Sequence, residues 1–254
     1  MTTDDTGLLE VCCASAAFAI EAERAGAHRV ELCANLVEGG TTPSRGELEC
    51  ALEEVTVPVM VMIRPRGGDF LYSDLEYRIM ERDVDTARDS GAHGVVIGLL
   101  TEEGAIDIPR TRALVDRARP LSVTFHRAFD VSKDHMRSID ALATAGVDRV
   151  LTSAGRARVI DALDTLGAIA RTAGDDLSVL ACGAVGPNEV DSVLSVPGVR
   201  EVHVGASRYR DSAMQHRVVD VPMGRPYTPD EYAVEVADVA FISDVARRFS
   251  EFGR

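Results

Sequence analysis

One short turn recurs four times along this chain: Ala25-Gly26-Ala27-His28-Arg29-Val30, Ser90-Gly91-Ala92-His93-Gly94-Val95, Ala145-Gly146-Val147-Asp148-Arg149-Val150 and Pro197-Gly198-Val199-Arg200. The glycine of each can take positive φ and so end a helix, and the residues after it open a strand. The four glycines stand 65, 55 and 52 residues apart, and each interval holds two strand–helix units. Eight units follow. Short branched runs at Leu8–Cys13, Arg29–Cys33, Val57–Ile63, Gly94–Leu99, Leu121–His126, Arg149–Thr152, Leu177–Ala181 and Glu201–Val204 alternate with stretches of helical period. That alternation predicts an α/β chain with a parallel sheet. Eight regular units favour a single (β/α)8 barrel of the TIM type over an open doubly wound sheet. Ser44-x-x-Glu47 and Ser73-x-x-Glu76 fit the capping box that starts a helix. Beyond the eighth strand, a turn-rich stretch from Ser207 to Pro229 and a closing helix near Asp238–Phe249 predict a C-terminal extension. No linker or charge block divides the chain, so residues 1–254 are expected to form one domain, the barrel in 8–206 and the extension in 207–254.

A chain of 254 residues buries enough apolar surface that neither disulfides nor a cofactor is expected to be required for folding. The net charge of −14 argues against nucleic acid and against an anionic membrane surface as partners. No apolar run approaches the roughly 20 residues of a membrane helix. The start, Met1 to Gly7, is acidic and polar, unlike a secretory leader, and reads as a short exposed tail. Five cysteines without a Cys-x-x-Cys pair read as reduced thiols, so a cytoplasmic protein is expected. Lys133 is the one lysine among 27 basic residues and falls in a polar loop or first helical turn, which argues against Schiff-base chemistry in a barrel.

Strand side chains alternate faces, so Glu10 with Cys12, Glu31 with Cys33, Met62 with Arg64, and Thr124 with His126 share one side. The opposite parity (Leu9, Val11, Val30, Leu32, Val61, Ile63, Val123, Phe125) is apolar and suits the layer under the helices, which leaves the polar set facing the barrel interior. Barrel interiors are ordinarily filled by branched apolar side chains, and buried charges there carry a desolvation cost. Such charges form either an internal ion-pair layer or an active site at the carboxyl mouth, with Glu10, Glu31 and His126 as candidate catalytic groups. His203 is a weaker candidate, and His28 and His93, at the opposite end, read as structural. The loop Arg64-Pro65-Arg66-Gly67-Gly68-Asp69 offers arginine forks for a small anionic ligand, with Asp69 beside them; the alternative is that the arginines tie this loop to Glu31, Glu38 or Asp69. Small residues around Gly183 and Ser207, at the ends of strands seven and eight, sit where many barrels hold phosphate. Cys12 and Cys33 take equivalent inward positions on adjacent strands, so they are either small buried hydrophobes or a pair of soft ligands suited to copper(I). Third and fourth ligands for zinc are not apparent.

Several segments together resemble one family. Leu9-Glu10-Val11-Cys12-Cys13, Arg29-Val30-Glu31-Leu32-Cys33, Glu38-Gly39-Gly40-Thr41-Thr42-Pro43-Ser44, Arg64-Pro65-Arg66-Gly67-Gly68-Asp69-Phe70, Thr124-Phe125-His126-Arg127-Ala128-Phe129-Asp130 and Val150-Leu151-Thr152-Ser153 are similar to the CutC family. The family's strand-seven turn is commonly richer in glycine than Cys182-Gly183-Ala184-Val185. The resemblance implies a β/α barrel, usually a homo-oligomer, associated with cytoplasmic copper homeostasis and copper(I) binding, with no established reaction. The residues themselves also suit an enzyme for proton transfer or isomerisation of a small anionic metabolite.

Overall fold

The structure is a computed structural model that describes residues 7–218, 220, 221, 223 and 230–252. The tail at 1–6 and part of the stretch Ser207 to Pro229 therefore lie outside the described residues. Eight strands, β1 (Leu8–Cys13), β2 (Arg29–Leu32), β3 (Val59–Met62), β4 (Gly94–Ile97), β5 (Ser122–Phe125), β6 (Arg149–Thr152), β7 (Ser178–Ala181) and β8 (Glu201–Gly205), pair in parallel, each with the next. Pairing of β8 with β1 closes the barrel. Seven helices connect them: α1 (Ala16–Arg24), α2 (Arg45–Glu54), α3 (Asp74–Asp89), α4 (Ile108–Ala118), α5 (His135–Ala145), α6 (Leu163–Ala173) and α7 (Val190–Leu194). The extension adds β9 (Ser207–Asp211), β10 (Ala233–Ala237) and α8 (Val239–Phe252). No helix among the described residues is long and apolar enough to cross a membrane.

The expected parity is the one observed. Leu9, Val11, Val30, Leu32, Val61, Ile63, Val123 and Phe125 belong to one continuous core with apolar helix residues such as Phe18, Met80 and Leu142. The interior holds a smaller set, with Cys33, Met60, Met62 and Val96 in one group and Leu151, Leu180 and Cys182 in another. Gly94 is required there: a Cβ on it would meet the Met60 side chain at 2.2 Å and the Ser122 carbonyl at 2.6 Å.

At the floor of the barrel the recurring turn does more than reverse the chain. His28 Nδ1 accepts the amide of Leu9 at 3.0 Å, and His93 Nδ1 accepts that of Val59 at 3.1 Å. Asp148, at the same place in the third repeat, accepts the amide of Val123 at 2.7 Å. Each satisfies a strand-start donor that would otherwise be left over.

Two expectations are corrected. Ser73 and Glu76 form the full capping box, but Ser44 and Glu47 form half of one. The Glu47 carboxylate instead accepts the Ala16 amide at 2.6 Å, so it caps the neighbouring helix α1 and ties two helices together. The segment after the eighth strand is not only turns: β9 runs straight on from the mouth and pairs antiparallel with β10, with Ser207 opposite Ala237. Its residues are all exposed, so neither apolar alternation nor burial marked it as a strand.

Two outcomes follow from this architecture. Asp148→Ala removes the acceptor of Val123 and the partner of Arg119, and is expected to cost about 1 kcal/mol in urea unfolding, part of the pair being solvent-exposed. Treatment with a metal chelator is expected to leave the thermal midpoint and the far-UV circular dichroism unchanged, because the apolar core is continuous without a metal.

Candidate functional site at the carboxyl mouth

Strand register assembles the site. Reading across β8, β1 and β2, His203 pairs with Glu10 and Glu10 with Arg29; one level nearer the mouth, Gly205 pairs with Cys12 and Cys12 with Glu31. Inward parity therefore stacks one polar row on another. Above them opens a cavity of about 610 Å³ whose walls include Cys12, Glu31, Met62, Arg64, Phe70, His126, Leu151, His203 and Ser207.

The lower row is an ion-pair chain. Arg149 binds Glu201, with Nη2 to Oε1 at 3.0 Å, and Glu201 Oε2 accepts from Arg29 Nη2 at 2.9 Å. Arg29 Nε also donates to Glu10, whose other oxygen lies 2.7 Å from His203 Nδ1. Burial would raise the pKa of Glu10, but Arg29 and His203 outweigh it and hold the carboxyl at about 2. Burial likewise opposes charge on His203, yet Glu31, Cys12 and Glu10 around it push the imidazole well above its ordinary range.

The upper row holds the sulfurs. Cys12 Sγ lies 3.9 Å from Cys33 Sγ, and Cys33 Sγ lies 3.5 Å from Glu31 Oε2. The hydrogen bond shared with Cys33, helped by His203, lowers the Cys12 pKa to about 5 against the effect of burial, so Cys12 is a thiolate near neutral pH. Cys33 is pushed up by that same bond and by burial. Burial and the Cys12 charge push Glu31 well above the carboxylate range, and its Oε1 has no hydrogen-bond partner among the described residues. Cys12, Glu31 and Cys33 offer ligand atoms within 4.8 Å of one another, as do Glu10, Glu31 and His203. The sulfurs are not level as the sequence suggested. Glu31 is the register partner of Cys12, and Cys33 lies two residues further along.

Across the cavity stands a second cluster. His126 is 3% exposed and its ring lies over Gly98, where a Cβ would meet it at 2.2 Å. Its Nδ1 accepts the Ala128 amide at 3.1 Å, which assigns the proton of the neutral ring to Nε2, an atom without a partner among the described residues. Burial and the Arg64 charge lower the His126 pKa to about 3. Arg64 donates to the carbonyls of Glu38 at 2.7 Å, Gly40 at 2.8 Å and Gly68 at 2.9 Å, so its outer nitrogens organise the loops after β2 and β3.

Other expected site residues sit elsewhere. Arg66 is bound to Asp69 and Glu76 outside the cavity, the loop-tying alternative, and Asp69 is exposed beside it. Gly183 has φ +97° and packs toward Ser153 and Val159, away from the cavity lining. Asp130 lines the mouth but is engaged by Arg127, Thr152, Ser153 and Gly155, binding the β5 loop to the β6 loop rather than serving His126. Sequence reasoning passed over Arg29, Arg149 and Glu201 and ranked His203 low. The alternation of Glu201-Val202-His203-Val204, polar on the same side as Glu10, was the available signal.

The CutC family model matches residues 7–208. A copper homeostasis protein cutC homolog from Mus musculus is 44% identical over 232 residues, covering 91% of this chain and 85% of the relative. A family protein CutC from Mesorhizobium japonicum is 43% identical over 93% of this chain and 92% of its own. A solved CutC structure from Streptococcus agalactiae superposes with a TM-score of 0.74 at 35% identity, over 79% of this chain and 98% of that one. A phosphoribosylanthranilate isomerase structure from Thermotoga maritima, at 12% identity and a TM-score of 0.59, shares the fold alone. With its barrel, its strand motifs and these relatives in agreement, this chain belongs to the CutC family.

Proposed function

We propose that this protein binds copper(I) through Cys12 and Cys33 at the base of the mouth, and does so in the cytoplasm as part of copper homeostasis. The 3.9 Å approach of the two sulfurs carries the proposal: it lies within the span of two metal–sulfur bonds of about 2.3 Å each, the length thiolates make to zinc. Soft thiolates select copper(I) over magnesium or calcium. Cys12 is already ionised near neutral pH, so binding there displaces no proton, whereas Cys33 gives one up as it ligates. Glu31 lies within reach as a third donor. The absence of a Cβ on Gly205, with open space beside it, keeps the approach to Cys12 from β8 clear. The role named for the mouse relative supports the same reading. A second reading, an enzyme acting on a small anionic metabolite, is favoured by His126 Nε2 in the cavity wall, which has no partner among the described residues.

Competition for copper(I) against a chromophoric chelator is the direct test. Cys12→Ser and Cys33→Ser are each expected to weaken binding by more than about tenfold. Cys50→Ser, on the exposed face of α2, is expected to change nothing. Equal binding by the Cys12/Cys33 double variant rejects the site.

The ionisation of Cys12 is checked separately. In a Cys50→Ser background, iodoacetamide modification of Cys12 is expected to hold its rate from neutral pH down to about 5 and to fall below that as the thiolate is protonated. Cys33→Ala removes the main stabilising contact, so the midpoint is expected to move to higher pH. A midpoint near the ordinary thiol value in both proteins contradicts the assignment.

A further inference from the structure

We infer that the wall of the mouth opposite the sulfurs is a binding site for an organic carboxylate, its head held by His126 and Arg64 and its body lying on apolar residues. The inference deepens the second of the two functional readings and does not depend on the sulfur pair. It starts from two buried donors. His126 Nε2 and Arg64 Nε are both buried and both lack a hydrogen-bond partner among the described residues, while the two side chains line the same cavity. A buried donor left unpaired costs about 1–3 kcal/mol, more when charged, so a group that completes it is favoured.

Charge points the same way. Arg64 is 5% exposed and its outer nitrogens meet three backbone carbonyls; no ion pair to a carboxylate is formed by it among the described residues. A cation held by dipoles alone leaves a positive field in the cavity. Phe70 bridges the pair, its ring 5.1 Å from the Arg64 guanidinium carbon and 4.9 Å from the His126 ring. That sandwich limits rotation of both donors. The neutrality of His126, lowered as it is by burial and by Arg64, makes it a hydrogen-bond donor rather than a second cation.

The chemistry of the remaining wall separates carboxylate from phosphate. A phosphate cradle is built from several backbone amides or a helix start, and Gly183, the residue expected to supply one, faces Ser153 and Val159 instead. Two side-chain donors suit the two oxygens of a planar carboxylate. Leu36, Met62, Phe70, Val131 and Leu151 line the same cavity and favour an apolar or aromatic body behind that head.

Benzoate, hexanoate and inorganic phosphate are titrated into metal-free full-length protein and followed by calorimetry and by the imidazole ¹H–¹⁵N signals of His126. Benzoate or hexanoate is expected to bind and to move the His126 Nε2 signal, with phosphate at least about tenfold weaker. Arg64→Lys keeps the charge but loses the Nε–H donor, and His126→Phe loses the imidazole donor; each is expected to lower carboxylate affinity at least about tenfold. His126→Gln, which still presents an N–H, is expected to recover part of that loss. The Cys12→Ser/Cys33→Ser double variant is expected to bind carboxylate within about threefold of wild type, which keeps this result separate from the copper one. Absence of any His126 signal change with either carboxylate overturns the inference even if a variant fails to fold. Wild-type affinity in Arg64→Lys and His126→Phe, or tighter binding of phosphate than of carboxylate, overturns it as well.

Discussion

A parallel barrel that places arginines and glutamates inside itself must neutralise them there, and in this protein Arg29 is the hub of that neutralisation. It reaches Glu10 on one side and Glu201 on the other, and Glu201 in turn holds Arg149. Removing one member leaves its neighbour's charge uncompensated in a largely buried space, so the four charges are mutually dependent. The chain links four strands, β1, β2, β6 and β8, across the barrel axis. It occupies the place that branched apolar side chains fill in most barrels of this kind.

The site above depends on this lower row. Glu10, kept ionised by Arg29, accepts from His203, and His203 carries that electrostatic arrangement up to Cys12. The thiolate is therefore supported by Cys33 beside it and by a fixed set of charges below it. On the far wall the sign of the field reverses, since among the described residues the outer nitrogens of Arg64 donate to carbonyls alone. One cavity thus has a sulfur-bearing anionic end and a nitrogen-bearing cationic end. Sequence positions 12, 31, 33 and 203 make the first, and 64, 70 and 126 the second.

Much of the barrel was legible because its signals are local. The spacing of Gly26, Gly91, Gly146 and Gly198 counts the strands, and each of these glycines does take positive φ. Alternation along β1, β2 and β5 separated core from interior. Less could be read of the site, for reasons that are geometric. Arg29 and Arg149 open their strands directly after the turn and were given no role, and the pairing of Glu10 with Arg29 and of Thr124 with Arg149, with their hydrogen bonds to Glu201, shows them to be interior charges. Arg66 and Asp69 have the composition of a ligand clamp, but nothing in composition says that Glu76, ten residues on, captures the guanidinium. The exposed strand β9 has neither periodicity nor apolar content to announce it.

The acceptors at His28, His93 and Asp148 bear on a problem that alternation leaves open. Most strands of this barrel span only four residues, and a slip of two would keep every side chain on its proper face. Hydrophobic patterning is blind to such an error. A slip of two residues moves the chain by roughly 6.6 Å, however, and carries the amide of Leu9, Val59 or Val123 out of reach of its acceptor. Each of these contacts closes over only 19, 34 or 25 residues, so alignment of an odd strand is checked by its own successor, before the barrel has closed. The turn that counts the strands in the sequence is thus also the ruler that aligns three of them.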